Sequence, residues 1–404
     1  MFRRSHQVVS TEDARRLAKK RLPRLVFDFV DGAAGREAGK MRNQSRMDKI
    51  LLQSRVMRDV SGSHLTTRLC GQTFDLPFGV APMGMCNLVC PDADKKLAEV
   101  AKTLNFPVCV SSAASSTMED MLSWAGENAW FQLYFHQSDE ASISMVQRAQ
   151  HAGYSTLILT VDVPRVSRRV RDQRNGFRMP FRLTPRSFFD FATHPRWSIS
   201  TLAAGVPSPR NFGSGPTQST FDRQASRSGA NWTFLARLRE VWKGTLIVKG
   251  ITCHDDAERI QQAGADAIYV SNHGARQLDS SPAAIDLLPS IRTAVGKHYP
   301  ILFDSGIRSG EDVVRALATG ADFVLFGRPA LYALAADGKQ GLLSLLECYR
   351  EDISVVMAQV GVSSISEINQ FVLAANDAKK TLHETTVVAG TRHAAEKSDE
   401  MNHE

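Results

Sequence analysis

Ala267-Ile268-Tyr269-Val270-Ser271-Asn272-His273-Gly274-Ala275-Arg276 is a short apolar run that opens into polar and small residues. Four consecutive apolar side chains read as a strand buried on both faces. At its exit a histidine stands three residues before an arginine. An imidazole titrates near neutral pH, and a guanidinium holds a carboxylate through two parallel hydrogen bonds. The pair suits chemistry on a small acid beside its carboxylate. It is equally what a loop histidine and a surface arginine would look like, and the rest of the chain has to decide.

Eight such runs recur, at residues 78–82, 107–112, 130–135, 156–162, 245–250, 267–273, 301–306 and 323–327. Segments with helical spacing lie between most of them, among them Asp312-Val313-Val314-Arg315-Ala316-Leu317. Apolar strands alternating with helices imply a parallel sheet covered on its outer face. Eight units predict a (β/α)8 barrel, a TIM barrel in the α/β class. An open doubly wound sheet is the alternative, but no Gly-x-Gly-x-x-Gly follows the first strand. Nearly every run ends in a polar or flexible group: Met83-Gly84, Ser111, Gln132 and Tyr134, Thr160 and Asp162, Lys249, Ser271 and His273, Asp304, and Gly327-Arg328. Active sites of such barrels gather at these C-terminal strand ends.

The regions outside the barrel divide the chain further. Residues 1–75 hold helical stretches and are predicted to cap one end, with the barrel at 76–375. Residues 174–230 form a long insertion after the fourth strand. Residues 376–404 are polar without an apolar period, which predicts a disordered tail. No apolar run is long enough to span a bilayer, and the first ten residues lack the apolar core of a secretory leader. The six cysteines show neither Cys-x-x-Cys nor zinc spacing, so no metal is expected and a reduced, cytoplasmic setting fits.

Several residues suggest roles by type and place. Asp162 would orient His273 and stabilise its protonated form, or would merely cap a helix. Arg168 and Arg169 would add a second clamp on an anion, or belong to a solvated loop. Tyr134 would hydrogen-bond a substrate oxygen, or pack in the core. Lys249 ends an apolar strand, where a cation needs an anionic partner; the electron-rich edge of a reduced flavin is one. Asp304-Ser305-Gly306-Ile307-Arg308 and Gly327-Arg328 follow the seventh and eighth strands, where such barrels often bind phosphate.

With these residues in view, the chain resembles the FMN-dependent L-2-hydroxy acid oxidases and dehydrogenases from about residue 11 to 372. The resemblance rests on Leu22-Pro23-Arg24-Leu25-Val26-Phe27-Asp28-Phe29, Trp130-Phe131-Gln132-Leu133-Tyr134, Leu159-Thr160-Val161-Asp162, Val248-Lys249-Gly250 and the stretch 271–279. It implies oxidation of an L-2-hydroxy acid to the 2-oxo acid with FMN as cofactor. It implies His273 as the base, supported by Asp162, with Arg276 and Arg169 on the substrate carboxylate and Tyr134 touching substrate. It implies Pro82, Met83, Gly84, Ser111, Gln132, Thr160, Lys249 and Ser271 around the isoalloxazine and ribityl groups. Asp304, Gly306, Arg308, Gly327 and Arg328 would hold the ribityl chain and phosphate. A homotetramer is also implied, with quinone or oxygen as electron acceptor.

Three departures stand out. Phe29 replaces a tyrosine whose hydroxyl usually helps hold the carboxylate. Ala275 replaces a glycine, which is tolerable if its φ is negative. Ala113 stands where glycolate oxidase has a tryptophan, leaving room for a side chain larger than that of glycolate, as in lactate and mandelate dehydrogenases.

The chain carries a formal charge of +7, and residues 174–230 alone carry eight arginines against Asp190 and Asp222. No nucleic-acid motif accompanies them. The charge would suit a plain solvated loop, a field that steers an anionic substrate, or a peripheral seat on the anionic inner face of a membrane. Only the last gives the interleaved aromatics Phe181, Phe188, Phe189, Phe191 and Trp197 a use. Membrane-bound members of the resembled family carry their anchor in this insertion and reduce quinone; a soluble oxidase using oxygen, or action on an atypical substrate, is the alternative.

Overall fold

A computed structural model describes residues 8–177, 181, 184–212 and 226–374 of the chain. The tail expected at 376–404 lies outside the described residues, as do Arg182, Phe221 and Asp222 of the insertion. Helices α1 (Thr11–Arg21), α2 (Arg24–Asp31) and α3 (Ala38–Asp48) come first. An antiparallel hairpin follows, β1 (Thr67–Leu69) and β2 (Gln72–Phe74). Eight parallel strands then close into a barrel: β3 (Phe78–Met83), β4 (Val108–Ser111), β5 (Ala129–Tyr134), β6 (Thr156–Thr160), β7 (Thr245–Ile251), β8 (Ala267–Val270), β9 (Ile301–Phe303) and β10 (Phe323–Phe326). β10 pairs with β3, which completes the ring.

The continuous apolar character of the strands has a simple cause, since each strand serves two cores by alternation. Ile158, Ile247, Tyr269, Leu302 and Leu325 turn inward with Cys109 and Trp130. Leu157, Leu159, Val248, Ile268, Val270 and Phe303 turn outward onto the helices. The hairpin plugs the N-terminal mouth. Phe74 packs on Trp130 and Phe323 near the starts of β5 and β10, and Trp130 Nε1 donates to Gln72 Oε1 at 3.1 Å. The first 75 residues are therefore not helical throughout. Polar strand ends are left for the opposite rim, where Tyr134, Thr160 and Lys249 stand in register.

The helix Val170–Asn175 leads into the insertion, which itself contributes two more, Pro185–Ala192 and Pro195–Ala204. Its placement corrects the expectation that all five of its aromatics rest at a surface. Trp197 is buried and donates from Nε1 to the Leu88 carbonyl at 2.7 Å. Phe181 and Phe191 pack on its ring. Only Phe188 and Phe189 are exposed, at 60% and 70%, joined by the aliphatic Ile199 and Leu202. Two sets of contacts tie the insertion and the helix before it to α2. Asp190 accepts the free N–H groups of Arg24 and Leu25 at 3.0 and 3.2 Å, where Pro23 offers no side-chain cap. Arg171 reaches Asp28, Asp31 and Glu37. Asp31 has a fully buried side chain and also pairs with Arg15 and Lys40, while Tyr332 donates to it at 2.7 Å. Burial works against this carboxylate, but Arg15, Lys40 and Tyr332 outweigh it and hold it far below the usual carboxylate range.

Candidate active site

The chain leaving β8 makes a left-handed turn that lifts His273 over the barrel rim. His273, Gly274 and Ala275 have φ of 57°, 60° and 59°. Three side-chain acceptors hold the turn: Ser271 Oγ takes the His273 N–H at 3.0 Å, Ser305 Oγ that of Gly274 at 3.0 Å, and Asn272 Oδ1 that of Ala275 at 3.1 Å. The negative φ under which alanine would be tolerable is therefore not met at Ala275. Its methyl stands in the left-handed region, at a cost of roughly 1–2 kcal/mol, which these bonds offset.

The imidazole is oriented from behind. Asp162 lies two residues past β6, with its carboxylate oxygens 3.0 and 3.1 Å from His273 Nδ1. A carboxylate only accepts, so Nδ1 carries the hydrogen and Nε2 keeps its lone pair. Nε2 lies 3.5 Å from Tyr134 Oη. Burial pushes the imidazole below the usual histidine range, against the pull of Asp162, which favours its neutral form. Burial also works against the Asp162 carboxylate, but His273 and Lys249 outweigh it and hold it below its usual range. Space for Asp162 comes from Gly250, where φ is 104° and a Cβ would lie 2.5 Å from the Asp162 Cβ. Glycine is required there on both counts.

In front of Nε2 lies a cavity of about 650 Å³ lined by Tyr134, Arg169, His273, Arg276, Phe29 and Ala113, among others. Arg276 donates to the carbonyls of Phe29, Val30 and Gly32 at 2.8–3.2 Å, which fixes its guanidinium at the end of α2. Phe29 stacks on Phe177 with ring centroids 4.4 Å apart and planes 5° from parallel. The Arg276 guanidinium lies 5.5 Å from the Phe29 centroid. Arg168, expected beside Arg169 as a clamp, instead turns outward and donates to Gln173 Oε1 at 2.9 Å.

The cavity continues along the rim past Pro82, Met83, Gly84, Gly306 and Gly327. Lys249 Nζ donates to Ser271 Oγ at 2.8 Å and lies 3.4 Å from Asp304. Burial opposes its charge, but Asp304, Asp162 and Tyr134 outweigh it and hold the ammonium above the usual lysine range. FMN fits these residues on three counts. Lys249 is a buried cation at the cavity wall. Gln132 is buried, its Nε2 donates to Thr160 Oγ1 at 2.9 Å, and its Oε1 has no donor among the described residues; an isoalloxazine N–H would supply one. Arg308 and Arg328 line the same cavity as Arg276, and Arg328 is pulled down to about 10 by burial and by the charges of Arg276 and Arg308. Such crowding of like charge is what a bound phosphate relieves. Ser111 is buried at the same rim, its Oγ accepting the Ala113 N–H at 3.2 Å.

Of the expected site residues, Pro82, Met83, Gly84, Tyr134, Arg169, Lys249, His273, Arg276, Asp304, Gly306, Arg308, Gly327 and Arg328 line the cavity with Phe29 and Ala113. Asp162 and Ser271 stand behind it, bonded to His273 and Lys249. Ser111, Gln132 and Thr160 lie at the ends of β4, β5 and β6, and Arg168 turns away. Phe177, Pro209 and Leu331 also line the cavity, and the sequence did not point to them. Pro209 comes from the returning arm of the insertion, which Arg210 pins by donating its N–H to the Ala114 carbonyl at 3.0 Å.

Comparison with known proteins agrees with this architecture. A family model described as FMN-dependent dehydrogenase matches residues 18–375. (S)-Mandelate dehydrogenase of Pseudomonas putida is 36% identical over 371 residues, covering 90% of this chain and 93% of that protein. L-Lactate dehydrogenase of Pseudomonas syringae pv. syringae is 36% identical over 374 residues, covering 91% and 98%. The crystal structure of the monotopic membrane protein (S)-mandelate dehydrogenase superposes with a TM-score of 0.86 at 35% identity, covering 91% of this chain and 99% of that one. A mandelate oxidase structure reaches 0.77 at 33% identity, covering 89% and 96%. With its model matched along most of the chain and its fold shared across nine-tenths of it, this protein belongs to the FMN-dependent dehydrogenase family and is an FMN-dependent enzyme.

Proposed function

We propose that the chain oxidises an L-2-hydroxy acid of medium or large side chain to the 2-oxo acid, as a peripheral membrane dehydrogenase that passes electrons to quinone. The observation that carries the reading is His273, with Nδ1 held by Asp162 and Nε2 facing a cavity that Arg276 and Arg169 also line. Arg276 and Arg169 bind the substrate carboxylate. That places the hydroxyl-bearing carbon before the imidazole, which takes a proton at Nε2. Asp162 stabilises the imidazolium so formed, and Tyr134 donates to a substrate oxygen. FMN, when bound, accepts the two electrons of the oxidation. Lys249, Gln132, Thr160, Ser111, Ser271, Pro82, Met83 and Gly84 would hold its ring and upper ribityl chain, and Asp304, Gly306, Arg308, Gly327 and Arg328 its lower chain and phosphate.

Size selection follows from the wall. Ala113 is small, and Phe29, Phe177 and Pro209 present apolar surface where a hydroxyl would favour small polar acids. An anaerobic flavin-bleaching screen from glycolate through L-lactate to (S)-mandelate and L-phenyllactate tests this; glycolate with the highest specificity constant would overturn it. Mixing the bleached enzyme with oxygen or with a short-chain quinone then assigns the acceptor.

The membrane seat draws support from Phe188, Phe189, Ile199 and Leu202, exposed on the hairpin 185–204 beside Arg186 and Arg196. Each such arginine near anionic lipid contributes about 1 kcal/mol. No helix among the described residues is long and apolar enough to cross a membrane. Sedimentation with phosphatidylglycerol vesicles at low and high salt tests the seat. Absence of binding, with fast reoxidation by oxygen, would favour a soluble oxidase. The tetramer belongs to the same proposal and is read by analytical ultracentrifugation.

A further inference from the structure

Arg227 stands near the end of the insertion, before the helix Trp232–Val241, and is only 9% exposed. It is absent from the cavity wall, yet its guanidinium lies 5.2 Å from the centroid of the Tyr134 ring. That is within the roughly 6 Å reach of a cation–π contact, which strengthens when the cation is desolvated. Its backbone is tied to the loop that carries Asp162, donating its N–H to the Pro164 carbonyl at 2.9 Å. Arg227 thereby bridges the ends of β5 and β6. It fixes the ring of Tyr134 with respect to the loop that orients His273.

We propose that Arg227 is a positioning residue that holds and polarises Tyr134 for its hydrogen bond to the substrate. A cation on the ring face draws electron density from the phenol and makes its O–H a stronger donor. The charged and titratable groups around that phenol are Lys249, Asp162, Arg227, Arg169 and His273. Of these, Arg227 is the one seated on the ring face among the described contacts. The inference rests on Tyr134 touching substrate as proposed above.

The test is a double-mutant cycle of R227M and Y134F, with R227K as the conservative variant. FMN content and melting temperature are measured first, then anaerobic flavin reduction by (S)-mandelate and by L-lactate over pH. Binding of the corresponding 2-oxo acids, followed by flavin difference spectra, gives a readout apart from turnover. R227M is expected to slow reduction about thirtyfold, the size of a desolvated cation–π contact, with unchanged FMN content. R227K should recover most of that loss. In the Y134F background R227M should change the rate less than about twofold. An equal loss in both backgrounds, or R227M within twofold of wild type, overturns the inference. If R227M does not fold, the same cycle with R227K decides: a small loss confined to the Tyr134 background supports the inference, and a loss that persists in Y134F overturns it. Y134F as fast as wild type overturns the Tyr134 role itself, and the inference with it.

Discussion

Replacing Asp162 with asparagine removes one charge from the site while keeping nearly the same shape. In the native arrangement the carboxylate lies 3.0 Å from His273 Nδ1. Taking the charges of carboxylate and imidazolium as about 4 Å apart, at an effective dielectric constant of 20, their attraction is about 4 kcal/mol. That attraction is absent while the imidazole is neutral and appears as it takes the proton. Its loss should slow proton abstraction about 10³-fold. The asparagine amide would also present an N–H to Nδ1, favouring the tautomer that puts hydrogen on Nε2, so the loss is a lower bound. The pH profile carries a second signature. Asp162 raises the His273 pKa against burial. Its removal should therefore move the acid limb of kcat/KM to lower pH, even as the plateau falls. In the native enzyme that limb should itself lie below the usual histidine range, since burial lowers the imidazole. Anaerobic stopped-flow flavin reduction reads both. D162N reducing its flavin within tenfold of wild type, at full FMN content, would refute the role assigned to Asp162.

Phe29→Tyr should tighten binding of lactate-like acids by about 1.5–3 kcal/mol, the worth of one charge-assisted hydrogen bond; Kd values for the 2-oxo acids, from flavin difference spectra, check this. Asp31→Asn should destabilise the protein by about 3–5 kcal/mol in urea unfolding, because it strips a buried partner from Arg15, Lys40 and Arg171. The native Asp31 pKa is depressed, so its contribution is present above the unfolded carboxylate pKa near 4 and is lost as pH falls toward the folded value; the gap between D31N and wild type should narrow in acid. Ala275→Gly should stabilise by about 1 kcal/mol, since φ of 59° strains alanine and not glycine, and scanning calorimetry would show a raised Tm.

The barrel was legible because its strands serve two cores and so read as unbroken apolar runs, as at 267–270 and 323–326. The rim was legible because polar groups such as Lys249 and Asp162 sit where such runs end. What sequence concealed depends on long-range placement. Strands of three residues, Thr67–Leu69 and Gln72–Phe74, are too short to show a period. Nothing local separates Arg168, which turns to solvent, from Arg169 in the cavity or Arg171 in the Asp31 cluster. Phe177 gains meaning only from its stack on Phe29, 148 positions earlier. The sign of φ at Ala275 was set by Asn272, Ser271 and Ser305, partners that lie on β8 and β9 exits.

The C-terminal carbonyls of α2 bear a consequence for the chain as a whole. Phe29, Val30 and Gly32 accept from Arg276, and Val30 and Gly32 also accept from Arg328. The negative end of this short helix thus grips two arginines through shared carbonyls, one beside the proposed substrate site and one beside the proposed phosphate site. The opening segment is in this sense a keystone and not a lid. Without it Arg276 would lose three carbonyl acceptors and Arg328 two, leaving Arg328 held through the Gly274 carbonyl. Grafts between relatives should therefore exchange residues 24–32 together with the β8 and β10 exits, as one unit.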